Sequence, residues 1–559
     1  MIDVLGNLAY QRPDDRIYTF LQGEEQQVLT HQELDVRARS VAARLREICK
    51  PGDRALLLHP PGLDYVVALF ACMYAGAIAV PSYLPRPNRP LIRLESIVAD
   101  AEPTVALTTD DIAFSTRSVL RRTNGPLSRL RVLATDDIVP ESFESAPLPR
   151  LTSETPVLLQ YTSGSTGLPK GVILSHGNIL HNTTMIQKNF PLSPASSTVF
   201  WLPPYHDMGL IGGILQPLCT GFQAYLMSPV AFLQRPARWL EAISQFRATC
   251  SGAPNFAYDL CVRRISEQEM SSLDLSSWTV AFNGAEPIRK QTLDDFGAAF
   301  ARCGFHAKAF HPCYGLAEAS LMVTGKAPDG IVQNIMVSRS ALERNCVEST
   351  HEGTDSCVLV SCGEAVGGQD VLVVDPTSDL LCPAHGIGEV WVSGPSVALG
   401  YWRKAEETQE IFHAHLKGES KKFLRTGDLG FLRDGELYIT GRMKDLIIIH
   451  GQNHYPPDIE FTVSRSHPAL PPSGTAAFSL LVDGIERLII VQEFEGRHAP
   501  TNLLEILATI RRAVSETHDL QVHDVVAVRS WTLPRTTSGK IQRYLCRIAY
   551  AGGTLARLI

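Results

Sequence analysis

Residues 157–174 constrain this chain more than any other stretch. Val157-Leu-Leu-Gln-Tyr161 reads as one strand and Gly171-Val-Ile-Leu174 as another. Between them stands Thr162-Ser163-Gly164-Ser165-Thr166-Gly167-Leu168-Pro169-Lys170. Glycines let backbone N–H groups turn together toward an anion, hydroxyls add donors, and Lys170 adds positive charge. A surface linker of this composition would not be bracketed by two apolar runs. The loop is not of the Walker A kind, because Pro169-Lys170-Gly171 stands where Gly-Lys-Ser/Thr would be needed. A phosphate loop leaving a strand requires a sheet behind it.

The flanking sequence predicts that sheet. Leu34–Ile48 carries apolar residues at helical spacing. Arg54-Ala-Leu-Leu-Leu-His59 is a buried-strand run closed by Pro60-Pro61-Gly62, Val66–Tyr74 reads as a helix, and Ala77–Pro81 as the next strand. Such alternation predicts a doubly wound, mostly parallel sheet. Ser175-His-Gly-Asn opens a capped helix running to Ile186. Val371–Val374, Glu389–Val392 and Glu436–Ile439 predict strands of a smaller β-rich subdomain, separated by Gly, Pro and Asp turn signals. After Gly441 the pattern becomes compact α+β, with Asp445–His450, Leu488–Val491 and a helix over Leu503–Glu516. The fold class expected is therefore α/β: a large N-terminal domain of residues 1–441 and a small α+β C-terminal domain of residues 442–559. A chain of 559 residues needs more than one core in any case. Ile331–Val358 is polar and weakly periodic, and reads as an insertion.

Charge and composition narrow the function. There are 51 basic and 58 acidic residues with no basic stripe, so no nucleic-acid partner is expected. The longest apolar run, Val66–Val80, is shorter than the roughly 20 residues of a spanning helix, and Met1–Gly6 lacks a signal-peptide n-region. No transmembrane segment is expected. Twelve cysteines without a Cys-x-x-Cys pair predict reduced thiols in a cytoplasmic protein.

Five further motifs follow the loop: Asn283-Gly284-Ala285-Glu286-Pro287, Tyr314-Gly315-Leu-Ala-Glu318, Thr426-Gly-Asp428, Gly441-Arg442-Met-Lys444-Asp445, and Pro534-Arg-Thr-Thr-Ser-Gly-Lys540-Ile-Gln-Arg543. Each alone reads as a turn, a helix start or an exposed lysine. In this order, from about Leu29 to Arg543, they resemble the acyl-adenylate-forming superfamily of acyl-CoA synthetases, peptide-synthetase adenylation domains and luciferases. The resemblance implies that Thr162, Ser163, Gly164, Ser165, Thr166, Gly167 and Lys170 cradle the phosphates of ATP. Asn283, Gly284, Ala285 and Glu286 would lie beside the nucleotide, with Tyr314 stacked on adenine next to Gly315. Glu318 and Thr166 would hold Mg²⁺ on the phosphates. Asp428 would accept both ribose hydroxyls, and Arg442 would contact ribose or phosphate. Lys444 would be the hinge, although Lys-Asp replaces the Asp-Asp or Ser-Asp pair common among relatives. Lys540 would bridge the attacking carboxylate and the α-phosphate. That carboxylate is already ionised at neutral pH, so no general base is required.

Two segments speak to the acid, Trp201–Gly213 and Ser251–Cys261. Neither carries the Asp that the superfamily uses to fix small amino acids. Met208, Gly209, Leu210, Ile211, Ile214, Phe256 and Tyr258 instead predict an apolar acyl pocket. His206 resembles the superfamily's histidine beside the acyl carboxylate. With Asn283–Arg289 and Ile447-Ile-Ile-His-Gly-Gln-Asn-His-Tyr-Pro-Pro457, these segments resemble the fatty acyl-AMP ligases. That implies activation of a medium- or long-chain fatty acid and transfer to the phosphopantetheine thiol of an acyl carrier protein, or of a polyketide or peptide synthase carrier domain. The insertion sits where that subfamily carries one. No Asp-Ser-Leu-type attachment site follows Lys540, so these residues hold no carrier domain of their own, and both a free-standing enzyme and a module of a larger synthase fit. A long-chain acyl-CoA synthetase shares most of these motifs, and the acceptor separates the two. A non-catalytic nucleotide- or lipid-binding relative is the other alternative; it would be expected to lack Glu318 or Lys540.

Overall fold

In the computed structural model, which describes residues 1–85, 91–121, 123, 125–138, 149–162, 169–353, 355–482, 484–495, 500–536 and 539–558, the strand–helix alternation of the first third builds a parallel sheet. Its six strands run in the order Arg131–Ala134, Val105–Thr108, Arg54–Leu57, Ile78–Pro81, Pro156–Thr162, Lys170–Ser175. All neighbours are parallel except the last two, which form an antiparallel pair with Thr162 opposite Lys170. That register puts Lys170 beside Thr162, the last described residue before the glycine- and hydroxyl-rich segment. The helix Leu63–Ala75 is buried at every position but Asp64, so it is apolar all round rather than amphipathic.

The second sheet is continuous over 14 strands. One part is parallel, joining Phe310–Gly315, Val280–Asn283, Cys250–Gly252, Ser197–Phe200, Gln223–Met227 and Arg16–Gln22. The other is antiparallel and contains Asp370–Asp375, Gly388–Ser393, Leu424–Arg433 and Glu436–Arg442. The β-rich subdomain is thus hydrogen-bonded onto the edge of the parallel sheet. Helix His176–Asn189 is closed by a capping box, Asn178 N–H donating to Ser175 Oγ (3.1 Å) and Ser175 N–H to Asn178 Oδ1 (3.0 Å). Asn178 Nδ2 also donates to the carbonyls of Pro395 and Val397 (2.8 and 2.9 Å), tying the helix to a distant loop.

Ile331–Val358 is more regular than its sequence predicts. Asn334–Ser338 pairs antiparallel with Ser356–Val360, and Arg339–Glu343 is a short helix capped by Ser338. Val337, Leu342 and Val347 pack against Leu429, Phe431 and Tyr455. The apolar partners are far off in the chain, which is why the local pattern is weak.

After a 3₁₀ turn at Met443–Asp445, a separate core forms. Thr475–Val482 and Ile485–Phe494 are antiparallel, and Val522–Arg529 adds in parallel. Helix Leu503–His518 buries Leu503, Ile506, Ile510 and Val514, one face at helical spacing. Among the described residues no helix is long and apolar enough to cross a membrane.

Several histidines are enclosed without charge. Burial pushes His59 down to about 3, with Nε2 2.9 Å from Thr135 Oγ1. It pushes His176 down to about 4. His311, with Nε2 2.7 Å from Asn189 Oδ1, falls to about 3. These folded values lie below the unfolded value of about 6.5. Their contribution to stability is therefore intact above that pH and is lost as pH falls toward 3–4. Each should cost about 1.4 kcal/mol per pH unit in that window. Equilibrium denaturation at pH 7, 6 and 5 should show stability falling with pH. His311→Gln, which keeps a polar end toward Asn189, should flatten the slope; an unchanged slope would remove His311 from this account.

Candidate active site

A cavity of about 1050 Å³ opens where the strands Val280–Asn283 and Phe310–Gly315 end. The carboxyl ends of parallel strands are the usual place for a ligand, because backbone groups there are free of the ladder. Both packed units line it: Gly284, Ala285, Glu286, Tyr314, Glu318, Asp428 and Arg442 from the large sheet's side, and Lys540 from the smaller core, with Lys444 in the turn between them.

Asp428 is held from two directions. Tyr314 donates its hydroxyl to Oδ2 (2.7 Å) and Arg442 donates Nε–H to Oδ1 (2.9 Å). Asp428 in turn pushes the Arg442 guanidinium well above its ordinary value. The turn before it depends on Glu389, a buried acid in an otherwise apolar strand. Glu389 accepts from Arg425 Nε (2.9 Å), Trp391 Nε1 (2.9 Å) and the N–H of Gly427 (3.0 Å). Gly427 has φ of 71°, which favours glycine. Sequence reasoning missed Glu389; a charged residue inside the run Gly388–Ser393 was the available signal.

The turn after Asn283 is also pinned by an unforeseen residue. Asn255 Oδ1 accepts from Asn283 Nδ2 (3.1 Å) and from the N–H of Arg289 (3.3 Å), while its Nδ2 donates to the Pro287 carbonyl (2.8 Å). Ala285 sits at φ 77°, a left-handed conformation that a non-glycine residue adopts at some cost. At Gly315 an added Cβ would overlap the Leu321 carbonyl oxygen, so only glycine fits under the Tyr314 ring's strand.

Glu318 accepts from the Tyr401 hydroxyl (2.9 Å), and burial raises its carboxyl above the usual range. Lys170 pairs with Glu407 and lies 4.9 Å from the centroid of the same Tyr401 ring. Tyr401 thus joins Lys170 to Glu318. Ser163, Gly164, Ser165, Thr166 and Gly167 lie outside the described residues.

Lys540 comes from a pinned hairpin. Arg535 Nη1 donates to the Gly539 carbonyl (3.1 Å) and Arg535 Nη2 to Glu493 (2.7 Å), while the Lys540 N–H donates to Thr536 Oγ1 (3.1 Å). Gly539 has φ of 89° and packs close to Phe256 of the large domain. Burial lowers the Lys540 ammonium from its ordinary value, Arg442 adds to that, and Asp207, Glu286 and Asp428 oppose it. His206, beside it, is pushed down to about 3 by burial, then by Lys540 and Arg93, so it is neutral at pH 7. Arg543 donates to Glu460 (2.7 and 2.6 Å) and Asp445 (3.0 Å), bracing the 3₁₀ turn Met443–Asp445 against the segment that carries Lys540.

The apolar prediction needs correction in detail. Met208 and Phe256 line the cavity, but Gly209, Leu210, Ile211, Ile214 and Tyr258 do not. Met208–Leu215 is a π-helix, whose i→i+5 bonds add residues to each turn. The face toward the cavity is Met208, Gly212 and Gln216, not Ile211 and Ile214. Tyr258 is two residues from Phe256 on a helix and so points away. Its hydroxyl donates to the Phe282 carbonyl (2.8 Å), in a core with Trp239 and Trp278. Phe190, Phe200 and Phe282, unforeseen, line the apolar arm instead.

A two-domain nucleotide enzyme, with its cation carried into the cavity by the smaller domain, is the class that this fold and site define. The chain belongs to the AMP-binding enzyme family, whose model matches residues 7–402. Residues 444–558 match the AMP domain described as Disco-interacting protein 2-like. The medium-chain-fatty-acid–acyl-carrier-protein ligase JamA of Moorena producens is 44% identical, over 99% of this chain and 95% of that protein. A putative fatty-acid–CoA ligase of Mycobacterium tuberculosis is 37% identical over 100% of this chain and 99% of that one. The fatty acyl-adenylate ligase of Legionella pneumophila, solved with acyl adenylate and pyrophosphate, is 40% identical with a TM-score of 0.78, covering 98% and 96%.

Glu389→Ala would strand the half-buried Arg425 guanidinium, the buried Trp391 indole N–H and the Gly427 N–H. It should cost about 3 kcal/mol of stability and raise the KM for ATP, read by denaturation and steady-state kinetics. Wild-type values for both would show that the Asp428 turn does not depend on Glu389.

Proposed function

We propose that this enzyme activates a medium- or long-chain fatty acid with ATP, releasing pyrophosphate, and passes the acyl group to the phosphopantetheine thiol of an acyl carrier protein. The observation that carries this reading is the convergence of Asp428, Glu318 and Lys540 on one cavity that continues into an arm lined by Phe190, Phe200 and Phe282. A carboxylate attacking the α-phosphorus approaches a centre surrounded by negative oxygens, so catalysis consists of positioning and charge neutralisation. Asp428 would accept the ribose hydroxyls, Tyr314 would lie against adenine, and Arg442 would move from Asp428 toward phosphate. Lys540 would stand between the acyl carboxylate and the α-phosphate. Neutral His206 would orient the carboxylate without adding a second charge. Lys444 would be the pivot for the smaller domain.

Glu318 suits Mg²⁺, which binds through one or two carboxylates plus phosphate oxygens. Its buried carboxyl gains a compensating charge when the cation arrives; Thr166 would be the second protein ligand. Bound Mg²⁺ would neutralise charge on the pyrophosphate leaving group.

For the acceptor, the insertion supports a carrier protein over CoA. Arg339 donates Nε–H to Asp458 (2.8 Å), Glu343 faces His454 (3.0 Å), and Asn453 donates to Asn345 (3.1 Å). All three contacts tie the insertion to the smaller domain and would restrict the swing that a CoA-using arrangement needs.

Lys540→Ala should reduce fatty-acid-dependent ATP–pyrophosphate exchange by at least about 100-fold. In the wild type, the alkaline limb of kcat/KM should fall below an ordinary lysine's value, because the free enzyme lowers this group, and the limb should vanish in the variant. Wild-type exchange in the variant would refute the role. Acyl transfer to CoA and to a phosphopantetheinylated carrier protein should be measured side by side. Carrier transfer should dominate, and efficient CoA thioester formation by the intact protein would overturn that part. A folded enzyme lacking residues 331–358 should gain CoA transfer; if it does not, the insertion mechanism fails.

A further inference from the structure

The aromatic side chains of the acyl arm form one layer across the parallel sheet. Thr198, Cys250 and Val280 are paired in register on three neighbouring strands. Two residues further along, Gly252 pairs with Phe282, Phe282 with His311, and Phe200 stands beside Gly252 on the outer strand. The Phe282 ring leans over Gly252, where an added Cβ would come within 2.5 Å of it. That bare position lets Phe282 stack on Phe200 from two strands away, with centroids 5.6 Å apart and planes at 28°. On its other side Phe282 stacks on Phe190 (5.9 Å, 13°), which follows helix His176–Asn189 and meets the His311 ring edge-on at 4.6 Å.

Phe200 is held on both sides. Opposite Phe282 it lies against Gly212 and Gly213 of the π-helix, where added Cβ atoms would come within 3.1 and 2.8 Å of it. A ring in contact all round cannot turn without moving its neighbours. Phe190, Phe200 and Phe282 are 8%, 6% and 5% exposed, and all three line the cavity. Toward the strand ends, two residues past Phe282 and His311, Gly284 and Cys313 line the same cavity beside Tyr314. In the other direction come Thr198 and Cys250, small side chains only 1% and 5% exposed. Along the strands, the rings therefore stand between the nucleotide end of the cavity and a nearly closed floor.

We propose that this aromatic layer, with Phe200 as its deciding residue, limits the length of the acid, so that the site takes medium-chain acids and excludes long ones. The two-residue step from Gly284 to Phe282 spans about 6.6 Å, room for about five methylenes at about 1.3 Å each. A C16 chain needs about three times that length. A fixed ring gives a sharp limit, whereas a mobile one would give a gradual decline. The inference rests on the acyl-adenylate reading and names the chain-length class of the same site.

The test is ATP–pyrophosphate exchange by the full-length enzyme over saturated C6 to C18 acids. In the wild type kcat/KM should peak at or below C12 and fall at least about tenfold just past the limit, because one methylene too many in a fixed pocket discriminates by that much. Phe200→Ala should move the limit about five carbons longer, the depth of one step along the strand. Should that variant not fold, Phe200→Leu should move it the same way by less. Gly212→Ala, whose methyl would press on the Phe200 ring, should move it shorter. A merely structural role for Phe200 would lower exchange at every length alike and leave the limit in place. That result in a folded Phe200 variant would overturn the proposal, as would a wild type that uses C16 as well as C10. Brisk exchange at every length defeats this inference and leaves acyl-adenylate formation standing. No exchange with any acid defeats both.

Discussion

An ammonium group withdrawn from water must be compensated, and Lys540 makes that requirement on the whole molecule. A buried unpaired charge costs several kcal/mol. Here the lysine meets Asp207, Glu286 and Asp428 but also the Arg442 guanidinium, and the net effect still lowers its affinity for a proton. Burial is the largest cause of that lowering; Arg442 adds to it and the three carboxylates oppose it. A bound phosphate would be a further opposing charge at this place. Burial likewise keeps His206 neutral, with Lys540 and Arg93 adding to the effect.

A cavity that orders a nucleotide must not itself be soft. Its turns are held by groups that never reach the ligand. Glu389 fixes the approach to Asp428 through three N–H donors. Asn255 fixes the turn after Asn283 through three bonds. Arg535 and Thr536 fix the hairpin of Lys540. Buried polar groups with every bond made are rigid, and the strained backbone at Ala285 persists because its neighbours determine it. Tyr401 extends this frame, serving Glu318 with its hydroxyl and Lys170 with its ring.

Much of the fold was readable because its signals are local. Val66–Tyr74 and Arg54–His59 declare themselves by apolar run length, and Ser175 by its cap. Tyr314, Glu318, Asp428 and Lys540, which line the cavity, were readable too, since each sits in a short motif. Their supports were not, because Glu389, Asn255 and Tyr401 act on residues tens or hundreds of positions away. The acyl wall was misread at Ile211, Ile214 and Tyr258. Apolar character alone picked out these residues, and it does not separate a side chain that faces a cavity from one packed into the core. Ile331–Val358 was opaque because its hairpin buries itself against Leu429, Phe431 and Tyr455 rather than within its own span.

Sequence alone determined that a Gly- and hydroxyl-rich loop leaves a buried strand, that two cores are needed, and that Lys540 stands near the end of an ordered series of motifs. These follow from residue type and spacing, which act over a few residues at a time. Only the tertiary structure decided that Lys540 lines the same cavity as Asp207 and Asp428. Only it turned the Met208–Leu215 helix so that Met208, Gly212 and Gln216 line the cavity. Long-range packing sets both, because the direction of a side chain is decided by what its element rests against.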